Sequence, residues 1–521
     1  MRTLLHNARL YDPRSGMLRA GSLLMEGGRI ARLGSAGLEP GGPARRVDCA
    51  GRLLMPGIYD AHVHLVFGGE ALVRLDASRH GTRADLLQEI ARRAAAVDQA
   101  PDRRAGWVLG QGLQPGALVP TLAELDEATG AVPLCLDTHD LHSCLCNSSA
   151  LALIGVEGRP DPPGGEVERD AAGRPTGLLR ENAALWVRPV IPAAGDAERR
   201  AFILAAQRHA HQYGITGVGD NLRRADLPLF QQLEAEDRLR LRIQGWRNDG
   251  NLNPDTLELE PFFSPRLRVD TLKLFADGAL GSCSAALDEP YLDGRRGTLV
   301  AAPEDLLHWM RLGLERGWRL AVHAIGDLAV ARVLDFFAEL GREGLPTRGW
   351  RHRIEHAQFI RPADLERFRR LEILPSIQPL HCSTDQDGFS TRLGPASVAR
   401  AFPWRSLLEA GLPLPIGTDW PVEPLDPRFN FVHGLTRLSR SGQRLIGTEE
   451  ALSLPELLRG MTWDAAHAAG WGEELGCLTL GAHADLLLWE QDPLESSLEQ
   501  LAGLRVQALW SGGEPVLEPA P

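Results

Sequence analysis

Short apolar segments alternate with amphipathic stretches over most of the chain. The stretch 196–213, DAERRAFILAAQRHAHQY, has apolar residues at helical spacing, and the apolar segment GITGVGD follows it. Further helical and apolar segments alternate after it, which favours parallel βαβ units. A count of eight strands predicts an α/β fold, the (β/α)8 TIM barrel. The predicted strands are LLMPGIYDAH, GITGVGD, RLRIQGW, TLKLF, RLAVHA, RHRIEHA, EILPSIQP and LPIGTDW.

The two ends of the chain fall outside this alternation. Short strand-like segments with Gly-Gly and Asp-Pro turns predict a small β-domain built from residues 1–55 together with 471–521. The barrel is then predicted over residues 56–470.

A long insertion separates the first two predicted barrel strands. Residues 66–195 are too many for an ordinary βα connection. They contain a predicted helix (TRADLLQEIARRAAAV), a strand (VPLCLDT) and a hairpin that turns at Ala-Ala-Gly (GEVERDAAGRPTGLLRE). Because an insertion after barrel strand 1 lies over the C-terminal face, we expect it to act as a lid or a pocket wall.

Composition and charge narrow the class of protein. The 521 residues are 44% hydrophobic with a net charge of −12, which argues against nucleic acid or an anionic membrane as a partner. The N-terminus lacks the apolar core of a signal peptide, and no apolar run approaches the roughly 18 residues of a membrane span, so we expect a cytoplasmic protein. Cys135, Cys144 and Cys146 cluster, but Cys-x-Cys is a poor zinc-knuckle spacing, and we interpret them as buried reduced thiols.

Polar residues occur where the predicted strands end, which is where barrel active sites lie. Asp60, His62 and His64 stand at every second position, so they share one face of a strand. An isolated His-x-His is more often a pair of surface histidines, but two such imidazoles can also converge on one metal ion. Residues at the ends of the later predicted strands favour the metal-site interpretation. They are Lys273, His323, His356 and Asp419.

Lys273 is unexpected on a buried strand, because a charged and unpaired ammonium is costly there. Carboxylation by CO₂ would give a carbamate able to bridge two cations; the alternatives are pairing with Asp277 or an outward-pointing side chain. Four imidazoles and a carboxylate suit zinc or a similar first-row ion, which lowers the pKa of bound water and polarises a carbonyl. Asp419 then takes the proton of that water and returns it to a leaving amine. Asp60 either orients an imidazole or closes the strand end.

Several segments resemble the signature segments of the amidohydrolase superfamily, and more narrowly its amidohydrolase-3 branch, which includes N-substituted formamide deformylases. They are PGIYDAHVHL, TLKLFADGALGS, AVHAIGD, RIEHAQF, SIQPLH, GTDWPVEPLDP and GCLTLGAHADLLLW. The resemblance implies a barrel with a β-sandwich formed by both termini, and a hydrolytic centre of one or two metal ions. Carried over by position, His62, His64 and Asp419 hold one ion, His323 and His356 hold the other, and Lys273 bridges them.

The substrate is left open by this resemblance. Loop residues that we expect near it, although loop packing explains each equally well, are His142, Gln378, His381, Trp420 and Glu423. The sequence indicates a metal-dependent hydrolase of a non-peptide carbon–nitrogen bond, in an amide or an N-formyl amine. The alternatives are hydrolysis or deamination of a cyclic amide or lactone and, from another class, a non-catalytic scaffold. We expect a small-molecule substrate and leave a homodimer open.

Overall fold

Seven parallel strands, each paired with the next one along the chain, form a nearly closed barrel. Barrel strands 1 to 7 are, in order, Ile58–Val63, Ile215–Leu222, Arg242–Arg247, Leu267–Phe275, Arg319–Ala324, Arg353–His356 and Leu374–Ser376. Most of their residues are buried on both faces, as is usual for parallel strands covered by helices. A two-residue strand, Phe262–Phe263, pairs antiparallel with strand 4.

The computed structural model describes residues 2–35, 37–97, 106–113, 119–138, 143–162, 165–248, 260–300, 302–443 and 446–518. The chain divides into two compact units, one of residues 1–65 with 207–521 and one of residues 66–206. The barrel belongs to the first unit.

The predicted eighth strand is wrong as a regular strand, although its segment takes the eighth position. Residues 413–420 form only isolated parallel bridges, from Ile416 to Ile377 beyond strand 7 and from Trp420 to Val63 in strand 1. Two features interrupt the strand. Thr418 donates its N–H and its hydroxyl to the Asp60 carboxylate, and Asp419 has a φ of +60°, outside the extended region. Asp60 therefore closes the end of strand 1 against this segment.

Glycine is required where this segment crosses strand 1. A Cβ on Gly417 would lie 2.5 Å from the backbone nitrogen of His62, closer than carbon and nitrogen can approach. Gly57 has a comparable role at the start of the barrel, since its Cβ would lie 2.3 Å from Thr216 Oγ1. The predicted strand LLMPGIYDAH is accordingly two strands divided at Gly57, Leu53–Pro56 and Ile58–Val63.

Helices alternate with the barrel strands. Those before strand 7 are Asp196–Gln212, Leu227–Ala235, Pro303–Glu315, Asp327–Arg342 and Pro362–Leu371. Further helices follow strand 7, at Pro379–Gln386, Phe389–Arg392, Pro395–Val398, Trp404–Glu409, Pro427–Thr436, Leu454–Arg459 and Ala465–Ala468. Asp327–Arg342 shows why they form: Val330, Val333, Leu334 and Phe337 recur at helical spacing and are all buried. Among the described residues, no helix combines the length and apolar character needed to cross a bilayer.

Strands from both ends of the chain form one eight-stranded sheet, consistent with the predicted β-domain. They are Arg2–Asp12, Met17–Glu26, Arg29–Gly34, Arg45–Asp48, Leu53–Pro56, Leu486–Trp489, Val506–Ser511 and Glu514–Leu517. Leu53–Pro56 pairs antiparallel with Leu486–Trp489, which joins the two ends. The helix Leu498–Ala502 connects two of the C-terminal strands. The buried core against this eight-stranded sheet includes Leu5, Leu54 and Trp510.

A buried ion pair joins this sheet to the barrel, and its loss is expected to be costly. Asp485 accepts two hydrogen bonds from Arg242, and the two side chains are 0% and 4% exposed. We expect Asp485→Asn to destabilise the fold by about 3–5 kcal/mol, because it leaves a buried guanidinium without its counter-charge. Glu366→Gln, in an exposed pair with Arg369, is the control and should leave the thermal midpoint unchanged.

The pH dependence of this effect follows from the direction of the pKa shift. Burial alone would raise the pKa of Asp485, but Arg242 holds it below its ordinary value. The stabilisation is therefore present at neutral pH and is lost as the pH falls below about 4. The measurement is the difference in thermal midpoint between wild type and Asp485→Asn at each pH. An equal difference at pH 7 and pH 3 would contradict the assignment of the stabilisation to the ionised Asp485 carboxylate.

The unit of residues 66–206 has its own six-stranded sheet. Its strands are Leu75–Asp76, Val108–Leu113, Leu134–Thr138, Ser143–Cys146, Gly165–Arg169 and Pro175–Glu181. Its helices include Arg83–Val97, Leu122–Thr129 and Ser148–Ile154, and Leu65–Val73 leads into it. The predicted insertion helix, strand and hairpin all occur here; its role as a lid stays a prediction.

Candidate metal centre

The six predicted ligands lie in one place, at the C-terminal end of the barrel strands. His62, His356 and Asp419 each place a ligand atom within 4.8 Å of the others. The remaining three line the same cavity as these residues. They are His64, Lys273 and His323. Because the six come from strands 1, 4, 5 and 6 and from the segment 413–420, only the closure of the barrel brings them together.

Backbone conformation aims two of these side chains. His356 and Asp419 have φ values of +73° and +60°, which cost a non-glycine residue about 1–3 kcal/mol. Alternation along strand 6 would send Glu355 and His356 to opposite faces. The turn at His356 lets both reach His62, whose ring centroid lies 5.1 Å from that of His356. The two strained residues are thus members of the centre, and their backbone conformation brings their side chains into it.

Two imidazoles, those of His62 and His356, are each held through the ring nitrogen Nδ1. The second ring nitrogen of each, Nε2, can then face the centre. His62 Nδ1 donates to Glu355 Oε2 at 2.8 Å, and His356 Nδ1 donates to Gln378 Oε1 at 3.0 Å. Carboxylate and amide oxygens only accept hydrogen bonds, so Nδ1 carries the proton and Nε2 carries the lone pair. His62 Nε2 lies 3.4 Å from Asp419 Oδ1. This is the usual arrangement for a metal-binding histidine.

Outer histidines complete the centre less directly. His64 Nε2 lies 3.1 Å from Asp419 Oδ1. The ring centroid of His323 is 4.5 Å from that of His356, but its Nε2 donates to the carbonyl of Gly278 at 3.1 Å. The three residues whose ligand atoms all lie within 4.8 Å of one another are therefore His62, His356 and Asp419. His62 and Asp419 are predicted to hold one ion, whereas His356 is predicted to hold the other.

The charges of the centre suit a cation. Burial lowers the pKa of His62 to about 4 and of His323 to about 3, and it holds the pKa of His356 well below its ordinary value. For Asp419 burial acts in the opposite direction, but His62 and the hydrogen bond from His64 hold its pKa well below the ordinary value. At neutral pH these rings are neutral and the carboxylate is ionised, the forms in which such groups ligate metals.

Lys273 lies in this centre without a polar partner. Its side chain is buried, and among the described residues its Nζ has no hydrogen-bond partner. The ring centroids of Phe275 and Trp246 lie 5.2 Å and 5.7 Å from this atom. Burial lowers the pKa of Lys273 to about 8. Neither alternative from the sequence is observed: the side chain does not point outward, and the carboxylate of Asp277 accepts backbone N–H groups instead.

The sequence adds a second observation about this residue. Lys273 is the only lysine in the chain, and the other 55 of its 56 lysine and arginine residues are arginine. A guanidinium cannot be deprotonated in a protein, whereas a buried amine can. Among the lysine and arginine side chains of this protein, Lys273 is thus the one that can become neutral.

A match over most of the chain places this centre in a known family. A family model described as the amidohydrolase family matches residues 45–517. The chain belongs to the amidohydrolase family. The resemblance found in its strand ends is confirmed.

Relatives cover nearly the full length. Protein LONG AFTER FAR-RED 3 of Arabidopsis thaliana is 29% identical over 96% of this chain and 90% of its own. N-substituted formamide deformylase of Arthrobacter pascens is 29% identical over 97% of this chain and 96% of its own. The solved structure of an uncharacterized metal-dependent hydrolase from Pyrococcus furiosus is 26% identical with a TM-score of 0.78, covering 95% of this chain and 100% of that chain. The protein is an enzyme, a metal-dependent hydrolase.

The residues predicted to touch substrate fall into three groups. His381 and Glu423 line a cavity of about 340 Å³ together with the six predicted ligands. Gln378 and Trp420 are not among its lining residues. Gln378 holds His356, and the carbonyl of Trp420 accepts the N–H of the residue after strand 1 at 2.7 Å. His142 lies outside the described residues.

Glu355 is a functional residue that strand alternation hides. It is fully buried, and its carboxylate lies between His62 Nδ1 and the guanidinium of Arg353, whose Nε is 2.7 Å from Oε1. The signal available in the sequence is its place in RIEH, directly before a predicted ligand. Glu355 is a positioning residue, because it acts on the centre through His62.

Replacement of Glu355 should weaken metal binding. We expect Glu355→Gln to raise the metal dissociation constant about 10–100-fold, because a ligand imidazole loses the charged acceptor that orients it. Competition with a chelator measures this constant on folded protein. Glu450→Gln is the control, since Glu450 binds Ser406 and lies outside the cavity lining. An unchanged constant for Glu355→Gln would show that the ring is oriented by other contacts.

Proposed function

We propose that this chain hydrolyses a non-peptide carbon–nitrogen bond, in an amide or an N-formyl amine. The observation that carries the proposal is the cavity of about 340 Å³, which joins the six predicted ligands to hydrogen-bonding groups and an apolar wall. The name of the Arthrobacter pascens relative, N-substituted formamide deformylase, supports an N-formyl amine.

The donor set fits a divalent cation, and we propose zinc. Neutral imidazoles and a carboxylate are the ligands that zinc takes in hydrolytic sites. His62, His356 and Asp419 would hold one ion; His64, His323 and Lys273 would complete a second position. The cation supplies Lewis acidity, which lowers the pKa of water and polarises a carbonyl.

Asp419 is the proposed proton carrier. Its carboxylate is ionised at neutral pH and faces the cavity. It can accept a proton from the attacking water and later deliver it to the leaving nitrogen. In balance, the water oxygen joins the acyl carbon, the carbon–nitrogen bond breaks, and one water proton ends on the released amine.

His381 is the proposed hydrogen-bond donor to the substrate carbonyl. Gln358 Nε2 donates to His381 Nδ1 at 3.3 Å, so the ring proton is on Nε2. That nitrogen is buried without a hydrogen-bond partner among the described residues, 3.6 Å from Asp419 Oδ2. A donor beside the proton carrier is placed to stabilise negative charge that develops on the carbonyl oxygen.

The rest of the cavity indicates a small substrate with an apolar substituent. Its volume lies at the lower end of the roughly 300–1,000 Å³ of small-molecule pockets. Phe275, Leu280, Ile325 and Val422 supply apolar surface. On another side, Glu423 accepts from Thr384 Oγ1 at 2.5 Å, so this wall is polar. A formyl or short acyl group on an apolar amine suits this space.

A matched substrate series tests the proposal. Zinc-loaded protein is offered the formyl, acetyl and benzoyl derivatives of one apolar amine, with a lactam and a lactone of similar size, and product release is measured. We expect amine release with the formyl compound fastest, and none after chelation. Turnover of the cyclic compounds alone would replace the proposal with the cyclic-substrate alternative, and absence of any turnover would show that the substrate lies outside both classes.

A further inference from the structure

Three cysteines of the unit 66–206 lie on one face of its sheet. Leu134–Thr138 pairs antiparallel with Ser143–Cys146, and Cys135 is directly opposite Cys146. Residues directly opposite each other point to the same face, as do residues two apart on one strand. Cys144 therefore joins Cys135 and Cys146 on that face.

The sulfur atoms are close enough to share one ion. The three Sγ atoms all lie within 4.8 Å of one another, and those of Cys144 and Cys146 are 4.0 Å apart. With metal–sulfur bonds of about 2.3 Å, three thiolates around one ion have sulfur separations of about 3.8–4.0 Å. Small rotations of the side chains would bring the three sulfurs to this geometry.

The surroundings favour a soft ion over a hard one. All three residues are buried, in a core that also contains Trp107, Leu151 and Val187. The oxygens near the sulfurs are the Ala184 carbonyl, 3.9 Å from Cys144 Sγ, and Asp137 Oδ1, 4.0 Å from Cys135 Sγ. Thiolates in an apolar shell select Cu(I) and Zn(II), whereas Mg²⁺ and Ca²⁺ need several oxygen ligands.

Charge near the cluster can offset that of bound thiolates. Asp137 receives hydrogen bonds from Arg188 at 2.6 and 3.1 Å and from Arg74 at 3.3 Å, so two guanidinium groups lie beside one carboxylate. These two cations and one anion carry a net charge of +1, which opposes the negative charge of bound thiolates.

We propose that Cys135, Cys144 and Cys146 form a binding site for one thiophilic d¹⁰ metal ion, Zn(II) or Cu(I). This site lies in the unit 66–206 and shares no residue with the hydrolytic centre. It would fix the two strands that carry it, with the Ala184 carbonyl, 3.9 Å from Cys144 Sγ, as an oxygen available for a fourth ligand. The proposal does not depend on which bond the enzyme hydrolyses.

Titration with Cd(II) tests the site, because thiolate-to-metal charge-transfer absorption does not arise from imidazole or carboxylate ligands. We expect the reduced full-length protein to show this absorption, with an amplitude that corresponds to one thiolate-bound Cd(II) per chain. The double variant Cys144→Ser/Cys146→Ser should lose it, whereas Cys382→Ser, which removes a buried thiol in the other unit, should keep it. Competition by Zn(II) or Cu(I) then distinguishes the two ions.

Three results would overturn the proposal. They are absence of the absorption in wild type, equal absorption in the double variant, and a Cys135–Cys146 disulfide that persists after the protein is treated with a thiol reductant. If the double variant does not fold, X-ray absorption of wild type carrying one equivalent of Cu(I) decides instead. We expect three sulfur neighbours at about 2.3 Å, and one or none contradicts the site.

Discussion

Replacing Asp419 with asparagine is expected to lower kcat by about 10²–10⁴-fold while the protein keeps at least one metal ion. The carboxylate is buried beside His62, His64 and His381, and His62 and the hydrogen bond from His64 keep it ionised. An amide oxygen can still ligate weakly, but it cannot take up a proton. Metal content by mass spectrometry and turnover of the formyl substrate are measured on the same preparation.

The control for this variant is Asp426→Asn. Asp426 is also largely buried, but it caps the helix Pro427–Thr436 and is not among the cavity-lining residues. Its kcat should stay near that of wild type. A metal-loaded Asp419→Asn protein with near-native kcat would show that another group carries the proton.

Replacing Lys273 with alanine is expected to empty at least one metal position and to abolish most turnover. A plain ammonium among these ligands would repel the cation, so the amine must be neutral or carboxylated when the ion binds. Lys273→Arg is the matched variant, because it keeps the positive charge but can be neither neutral nor carboxylated. It should lose the same ion. Short carboxylates should partly restore Lys273→Ala, which has space for them, and not Lys273→Arg.

The single lysine makes the carboxylation itself measurable. Protein prepared with ¹³C-bicarbonate should show one carbamate carbon resonance that is absent from Lys273→Arg, since no other lysine side chain exists to carry it. An unmodified Lys273 beside one fully occupied metal position would contradict the two-ion arrangement. Hydrolysis would then rest on one ion, with His62 anchoring it and Asp419 still carrying the proton.

Most of the barrel follows from patterns that the sequence shows directly. Buried parallel strands read as short apolar runs, and seven of the eight predicted strands occur. The eighth fails because its contacts are not those of a strand: Thr418 bonds to the Asp60 side chain, and Asp419 leaves the extended region. The contact with Asp60 is not local in sequence, so no pattern within residues 413–420 reveals it.

The convergence of the six predicted ligands at one end of the barrel could be predicted, because each strand end presents a residue type with few other uses there. The residues that hold these side chains in place could not be predicted. Glu355 precedes a predicted ligand on the same strand, where alternation sends it to the opposite face, and only the positive φ of His356 lets both face the centre. Gln378 was predicted at the substrate, but it lies against His356 Nδ1. Both depend on orientation at a strand end, which periodicity does not determine.

Anomalous diffraction from crystals of zinc-loaded protein shows directly whether these strand ends form one metal centre. Difference maps from data collected on either side of the zinc absorption edge locate the bound ions without any knowledge of the substrate. We predict a strong peak among His62, His356 and Asp419, within about 2.0–2.2 Å of the ligand nitrogen and oxygen atoms. A map with no peak there, from protein that carries a full equivalent of zinc outside the cysteine cluster, would contradict the account.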